Sequence, residues 1–259
     1  MKTIRTIGRL VIAALVLLAV VGPMVLTEDP LRQDLLATLD GPGGHWLLGS
    51  DHLGRSELAR LVHGARLSLA LATGGVVLSL ATGTALGLLA AWCGGWSEAA
   101  IMRLAEITLA FPTILLVLLL TAFLGGGALG AVIALAASQW CEACRVVHGA
   151  ARAVLSQPFV EATRLLGRGT TFVLWRTVLP AVRPHLAVLM GLGFASAILY
   201  ISTLGFLGIG VFPPTPEWGA MIAEAMPYIG EAPHLLIVPG AAIFLAVFSF
   251  QVAFATDRS

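Results

Sequence analysis

The feature that most constrains this chain is a succession of apolar stretches long enough to cross a lipid bilayer. A spanning helix needs about 20 mostly apolar residues. Candidates lie at 7–26, 67–92, 104–124, 129–144, 186–207 and 235–254, the fourth shorter than the rest. Composition supports lipid as the solvent: 58% of residues are hydrophobic and 11% charged, against about 25% charged in an average soluble domain. The expected class is an all-α membrane protein with about six transmembrane helices. Gly125, Gly126 and Gly127 should turn the third span into the fourth, and Pro239-Gly240 should kink the sixth. The first span, preceded by Lys2, Arg5 and Arg9, reads as an uncleaved anchor, because no small-residue cleavage site follows it cleanly.

Basic residues orient such a bundle. With the N-terminus in the cytoplasm, 11 of the 15 basic residues fall inside and four (Arg32, Arg55, Arg60, Arg66) outside. The expected topology therefore places both termini inside, residues 27–66 and 211–234 outside, and 142–184 inside. Two regions are expected: an anchor helix with an external segment, 1–66, and a core transmembrane domain, 67–259.

Several functions are excluded by what is missing. The single lysine is Lys2, so no phosphate-binding Walker A loop exists, and ATP, if used, is hydrolysed by another chain. A net charge of +1 gives no footprint for nucleic acid. No Gly-x-Ser-x-Gly or His-Glu-x-x-His pattern marks an intramembrane enzyme. No cofactor is expected. Cys141 and Cys144 share a helix face, but a structural zinc needs four ligands and no second pair exists. His45, His52 and His63, near Asp51, read as polar loop residues. Glu106 is the carboxylate placed inside a span, one turn from Arg103, and reads as a local pair near the cytoplasmic end. The absence of charge near the bilayer centre argues against the alternative, an ion-coupled secondary transporter.

Function is most legible in 142–184, which holds six arginines and two acidic residues. Phe159, Ala162 and Leu166 have helical spacing, Gly167 would end that helix, and a second short helix over Thr171–Val178 should stop before Pro180. A helix-glycine-helix knob suits docking into another protein's groove. On chemistry alone, a basic loop that merely fixes topology is equally open.

The knob's residues resemble a known pattern. Glu161-Ala162-Thr163, then Gly167, then Leu179-Pro180 is similar in residues and spacing to the EAA loop of ABC importer permeases, with Thr163 in place of an alanine and Thr177 in place of an isoleucine. Leu48-Gly49-Ser50-Asp51-His52-Leu53-Gly54-Arg55, Phe206-Leu207-Gly208-Ile209-Gly210 and Pro213-Pro214-Thr215-Pro216-Glu217-Trp218-Gly219 resemble blocks of the dipeptide/oligopeptide/nickel permeases. The C-terminus departs from the longer tail usual in those relatives.

The resemblance implies a type I ABC importer permease fold with a cytoplasmic coupling helix, the EAA loop lying at about 158–180. It assigns ATPase coupling to Glu161, Ala162, Thr163, Gly167, Leu179 and Pro180. The hydroxyl-bearing residues Ser196, Tyr200, Ser202 and Thr203 become candidates for lining the pathway. Implied partners are a homologous second permease, two ATP-binding subunits and an external substrate-binding protein, in a bacterial inner membrane. The implied cargo is short peptides, nickel or a metal-chelate.

Overall fold

The computed structural model describes residues 2–43 and 46–254; His45 and the tail after Phe254 lie outside them. The described residues form ten α-helices and no strand beyond isolated bridges. Helix α1 covers Lys2–Val25, α2 Glu57–Cys93, α3 Gly95–Ala110, α4 Thr113–Phe123, α5 Gly127–Leu155, α6 Pro158–Leu165, α7 Thr170–Val173, α8 Leu179–Phe206, α9 Trp218–Ala225 and α10 His234–Phe254. Residues 94–103 and 145–185 lie at one end of the bundle, here called the basic end.

Four of the apolar stretches appear as single helices, and two readings are corrected. The stretch 104–124 is not one helix: α3 and α4 meet at Phe111-Pro112 with a bend of 96°. Pro112 has no N–H to donate and its ring obstructs the preceding turn, a break that a count of apolar residues cannot register. The fourth helix is also far longer than 129–144. It runs to Leu155 because Glu142, Arg145 and His148 interrupt hydropathy without interrupting backbone hydrogen bonding. The predicted glycine turn stands, with Gly125, Gly126 and Gly127 at φ 83°, 75° and 79°. Helix α10 continues past Pro239.

Small residues set the packing. A Cβ on Gly83 would fall on the Trp140 carbonyl oxygen, and one on Gly87 would lie 2.6 Å from that of Cys144. Helices α2 and α5 thus meet backbone to backbone, as small residues permit in membranes. Around this pair a core forms from Leu69, Val76, Leu135, Ile198, Leu204 and Trp218. Phe194 of α8 stacks on Phe250 of α10 at 3.7 Å. Helix α1 lies against α10 and α2, its Gly8 close to the Ser249 carbonyl and its Gly22 close to Val62.

At the end opposite the basic one, polar groups fasten the loops. Arg55 donates to Asp51 Oδ2 (2.6 Å) and to Glu224 Oε2 (2.7 Å), and Arg60 donates to the same Glu224 oxygen at 2.7 Å. Both arginines are buried. Glu217 is fully buried and caps α9: its Oε1 accepts from Ser68 Oγ (2.9 Å) and its Oε2 from the Ala220 N–H (3.0 Å). Burial pushes its carboxyl above the ordinary value of 4.5, while the hydrogen bonds from Gly219, Ala220 and Ser68 pull the other way. Trp218 Nε1 donates to the Leu61 carbonyl at 3.1 Å. The Pro213–Gly219 block is therefore a structural pin joining α2, α8 and α9.

Candidate functional site

The predicted knob is present at the basic end. After α5, a short connection at Ser156-Gln157 leads into α6, which begins at Pro158, where a missing N–H goes unnoticed. One side chain anchors the helix: Val160, 1% exposed, packs with Ala91, Val147, Ala151, Val173, Val178 and Val182 at the basic end of the bundle. The opposite face has no cover. Phe159 is 55% exposed, Leu165 83% and Leu166 81%, and Glu161 and Ala162 are exposed beside them. Large apolar side chains grouped this way mark an interaction surface, for protein or for lipid.

Gly167 ends α6 as the spacing predicts. Its φ is +76°, and the Arg168 N–H bonds back to the Thr163 carbonyl at 3.4 Å, the six-to-one closure of a Schellman turn. Thr163 also returns its Oγ1 to the Phe159 carbonyl at 2.8 Å. No atom lies within 4 Å of a Cβ built on Gly167. The glycine is therefore required by backbone conformation and not by crowding.

Beyond the turn the expectation of a helix stopping before Pro180 is corrected. Helix α7 passes through a π-helical segment, Leu174–Val178, directly into α8. The Leu179 N–H bonds to the Leu174 carbonyl; this wider i→i+5 register takes Leu179 and Pro180 into the first turn of α8, where proline is tolerated. All six coupling candidates lie in one connected element from α6 to the start of α8.

The α8 candidates separate. Ser196, Tyr200 and Thr203 follow helical spacing on one partly exposed face, which Leu189 and Gly193 extend toward the basic end. Ser202 points elsewhere and is buried against Gly219 of α9. Glu106 pairs with Arg103 at 3.1 Å, both well exposed. Cys141 and Cys144 are buried in a helix–helix contact with Ala105 and Trp140. Asp51, His52 and Glu224 offer ligand atoms within 4.8 Å of one another, but Arg55 and Arg60 already occupy both carboxylates. A cation there would displace two buried guanidinium groups. Sequence reasoning missed Glu142, read as the start of a loop. It lies in the middle of α5 and is exposed, so the absence of mid-span charge no longer weighs against ion coupling.

Among the described residues five helices, or six where the bent α3–α4 pair counts as one span, are long and apolar enough to cross a membrane, the architecture of a multi-pass membrane protein. The chain belongs to the family of binding-protein-dependent transport system inner membrane components, matched over residues 83–258. It is 42% identical over 251 residues to the di/tripeptide transport system permease protein DppC of Pseudomonas aeruginosa, covering 95% of this chain and 83% of that one. It is 36% identical over 243 residues to the nickel transport system permease protein NikC of Escherichia coli, covering 94% and 88%. The glutathione transport system permease protein GsiD of Pectobacterium atrosepticum is 37% identical over 214 residues, covering 82% and 71%. The backbone matches a chain of the methionine ABC transporter MetNI in an inward-facing conformation, with a TM-score of 0.61 at 20% identity over 75% of this chain and 92% of that one. The fold is that of a type I ABC importer permease, and family membership settles the choice against a secondary transporter.

Proposed function

We propose that this permease works with a homologous second permease, two ATP-binding subunits and an external substrate-binding protein to import short peptides, nickel or a metal-chelate. ATP hydrolysis takes place in the separate subunits. The basic end, with both chain termini, faces the cytoplasm, following the bias of 11 basic residues to four. Residues 1–66 serve as anchor and external segment, and 67–259 as the transport core. The relatives named for di/tripeptide, glutathione and nickel transport support the range of cargo without choosing within it.

Within this reading α6 is the coupling helix. Glu161, Ala162 and Thr163 face a cleft in the ATPase, Gly167 makes the turn, and Leu179 and Pro180 carry the motion into α8. The α8 face with Ser196, Tyr200 and Thr203 lines the pathway, and Ser202 supports that helix from behind against α9. The observation that carries the proposal is the uncovered apolar face of α6, held at its back by Val160 and closed by a glycine turn.

Two substitutions test it. A valine at position 167 would have to adopt φ +76°, a strain of about 1–2 kcal/mol, and Glu161→Lys reverses charge on the docking face. Neither touches a span. At matched membrane levels, both should cut uptake and weaken co-purification of the ATPase. If both variants transport like the parent with a stably bound ATPase, α6 is not the coupling element.

A further inference from the structure

The position of the Glu142 carboxylate is not explained by the packing of the fold. Helix α5 rises about 1.5 Å per residue, so Glu142 lies about 22 Å from its Gly127 end and about 20 Å from its Leu155 end. The hydrocarbon core is about 30 Å thick and α5 is longer than that; with His148 paired to Glu98 at the basic end, Glu142 lies about 9 Å inside that level, within the core. It is exposed, and among the described residues its carboxylate forms no ion pair or hydrogen bond. An ionisable group at that depth is tolerated facing water or a partner, not facing lipid tails.

The surroundings say which way it faces. The neighbouring Ala143, Cys144 and Val147 are buried against Gly83 and Gly87 of α2, which turns Glu142 out of that contact. With Gln139 one turn away, it borders a recess of about 20 Å³, space for one water, shared with Ser79 of α2 and Leu189 and Gly193 of α8. Leu189 and Gly193 begin the same helical stripe that continues through Ser196, Tyr200 and Thr203. Polar groups of α2 and α5 thus meet beside the face that α8 presents along its length. Arg145, one turn nearer the basic end, is close enough to that end for its long side chain to reach toward water; Glu142 is not.

We propose that Glu142 lines the translocation pathway within the bilayer core and confers a preference for cargo bearing positive charge, whether the ammonium group of a peptide or a divalent metal. This rests on the permease reading above and extends it to a residue and a charge class. A single carboxylate in a narrow, water-filled passage lowers the potential around it, attracting cations and repelling anions.

The test uses the assembled importer in membrane vesicles, with Cys93, Cys141 and Cys144 changed to alanine. Reporter cysteines are placed by Leu189→Cys on α8 and, independently, Val146→Cys on α5, each with and without Glu142→Gln. Each is labelled by two small water-soluble methanethiosulfonates, one carrying a trimethylammonium group and one a sulfonate. With Glu142 present, the cationic reagent should be favoured, after correction for its rate with a free thiol. Glu142→Gln should lower the cation-to-anion ratio about fivefold or more, the order expected of one unit charge acting through partly water-filled space on probes of opposite sign. If the ratio is unchanged at both reporters, or if neither reporter labels from either side of the membrane, the proposal is overturned. The ratios are read without ATP, whereas the permease reading fails on ATP-driven uptake by the unsubstituted complex, so the two failures are distinguishable.

Discussion

The contact between Gly205 and Glu217 offers a quantitative check on how the loop after α8 is pinned. A Cβ added to Gly205 would land on Glu217 Oε2 and would lie 3.0 Å from the Ala220 nitrogen. In the parent protein, Gly205→Ala should therefore destabilise by about 1–3 kcal/mol, the usual cost of overpacking. Glu217→Ala removes the acceptor for the Ala220 N–H and for Ser68 Oγ. Each orphaned donor costs about 1–3 kcal/mol, so this variant should lose roughly 2–5 kcal/mol. Combining the two places the new methyl in the space the carboxylate vacated. The Ala220 nitrogen remains close, so the relief is partial. A favourable coupling of about 1–2 kcal/mol is expected. Melting in detergent reads it: the double variant should unfold about 2–8 °C above the sum of the single effects, at about 2–4 °C per kcal/mol for a chain of this size. Effects that add to within about 0.5 kcal/mol would refute the packing described for Gly205.

Two more predictions follow from the same end of the molecule. Burial raises the Glu217 carboxyl above 4.5 in the folded chain, so the unfolded chain ionises first, and stability falls as pH rises from about 4.5 until the folded group ionises as well. Glu217→Gln cannot ionise, so a melting difference favouring glutamine should grow over that window; one that shifts toward glutamate with rising pH would contradict the assignment. Glu224→Ala should cost about 1–3 kcal/mol by removing the acceptor shared by the buried Arg55 and Arg60, which are left with Asp51 alone, whereas Arg103→Ala, which breaks an exposed pair, should change stability by less than about 1 kcal/mol; equal losses in the two variants would show that the buried cluster is not holding α9.

The sequence made the apolar stretches and the knob legible because each depends on local pattern. Lipid selects for runs of apolar side chains, and the positive φ of Gly167 is a local demand that glycine meets. The bend at Pro112 was missed because a run of apolar residues reports the solvent, not the direction of the axis. The length of α5 was missed for the converse reason: Glu142, Arg145 and His148 look like loop chemistry, yet a helix closes its own hydrogen bonds whatever its side chains face. Pro180 read as a stop because proline normally ends a helix, whereas the π-helical register just before it lets the chain carry on. The union of Arg55 with Glu224 joins positions 169 residues apart, and nothing in the local sequence of either announces the other.

The close approach of α2 and α5 has a mechanical consequence. Where Gly83 and Gly87 meet the carbonyls of Trp140 and Cys144, no flexible side-chain layer lies between the two backbones to absorb shear. Sliding one helix past the other would drive main chain into main chain, so the pair behaves as a stiff beam. Val160 ties α6 to the basic end of that beam through Ala91 of α2 and Val147 and Ala151 of α5. Under the coupling role proposed for α6, a push at the knob would load both helices of this pair together. It would reach the far end, where Ser68 of α2 holds Glu217 and Arg60 of α2 holds Glu224, as tilt of the whole beam.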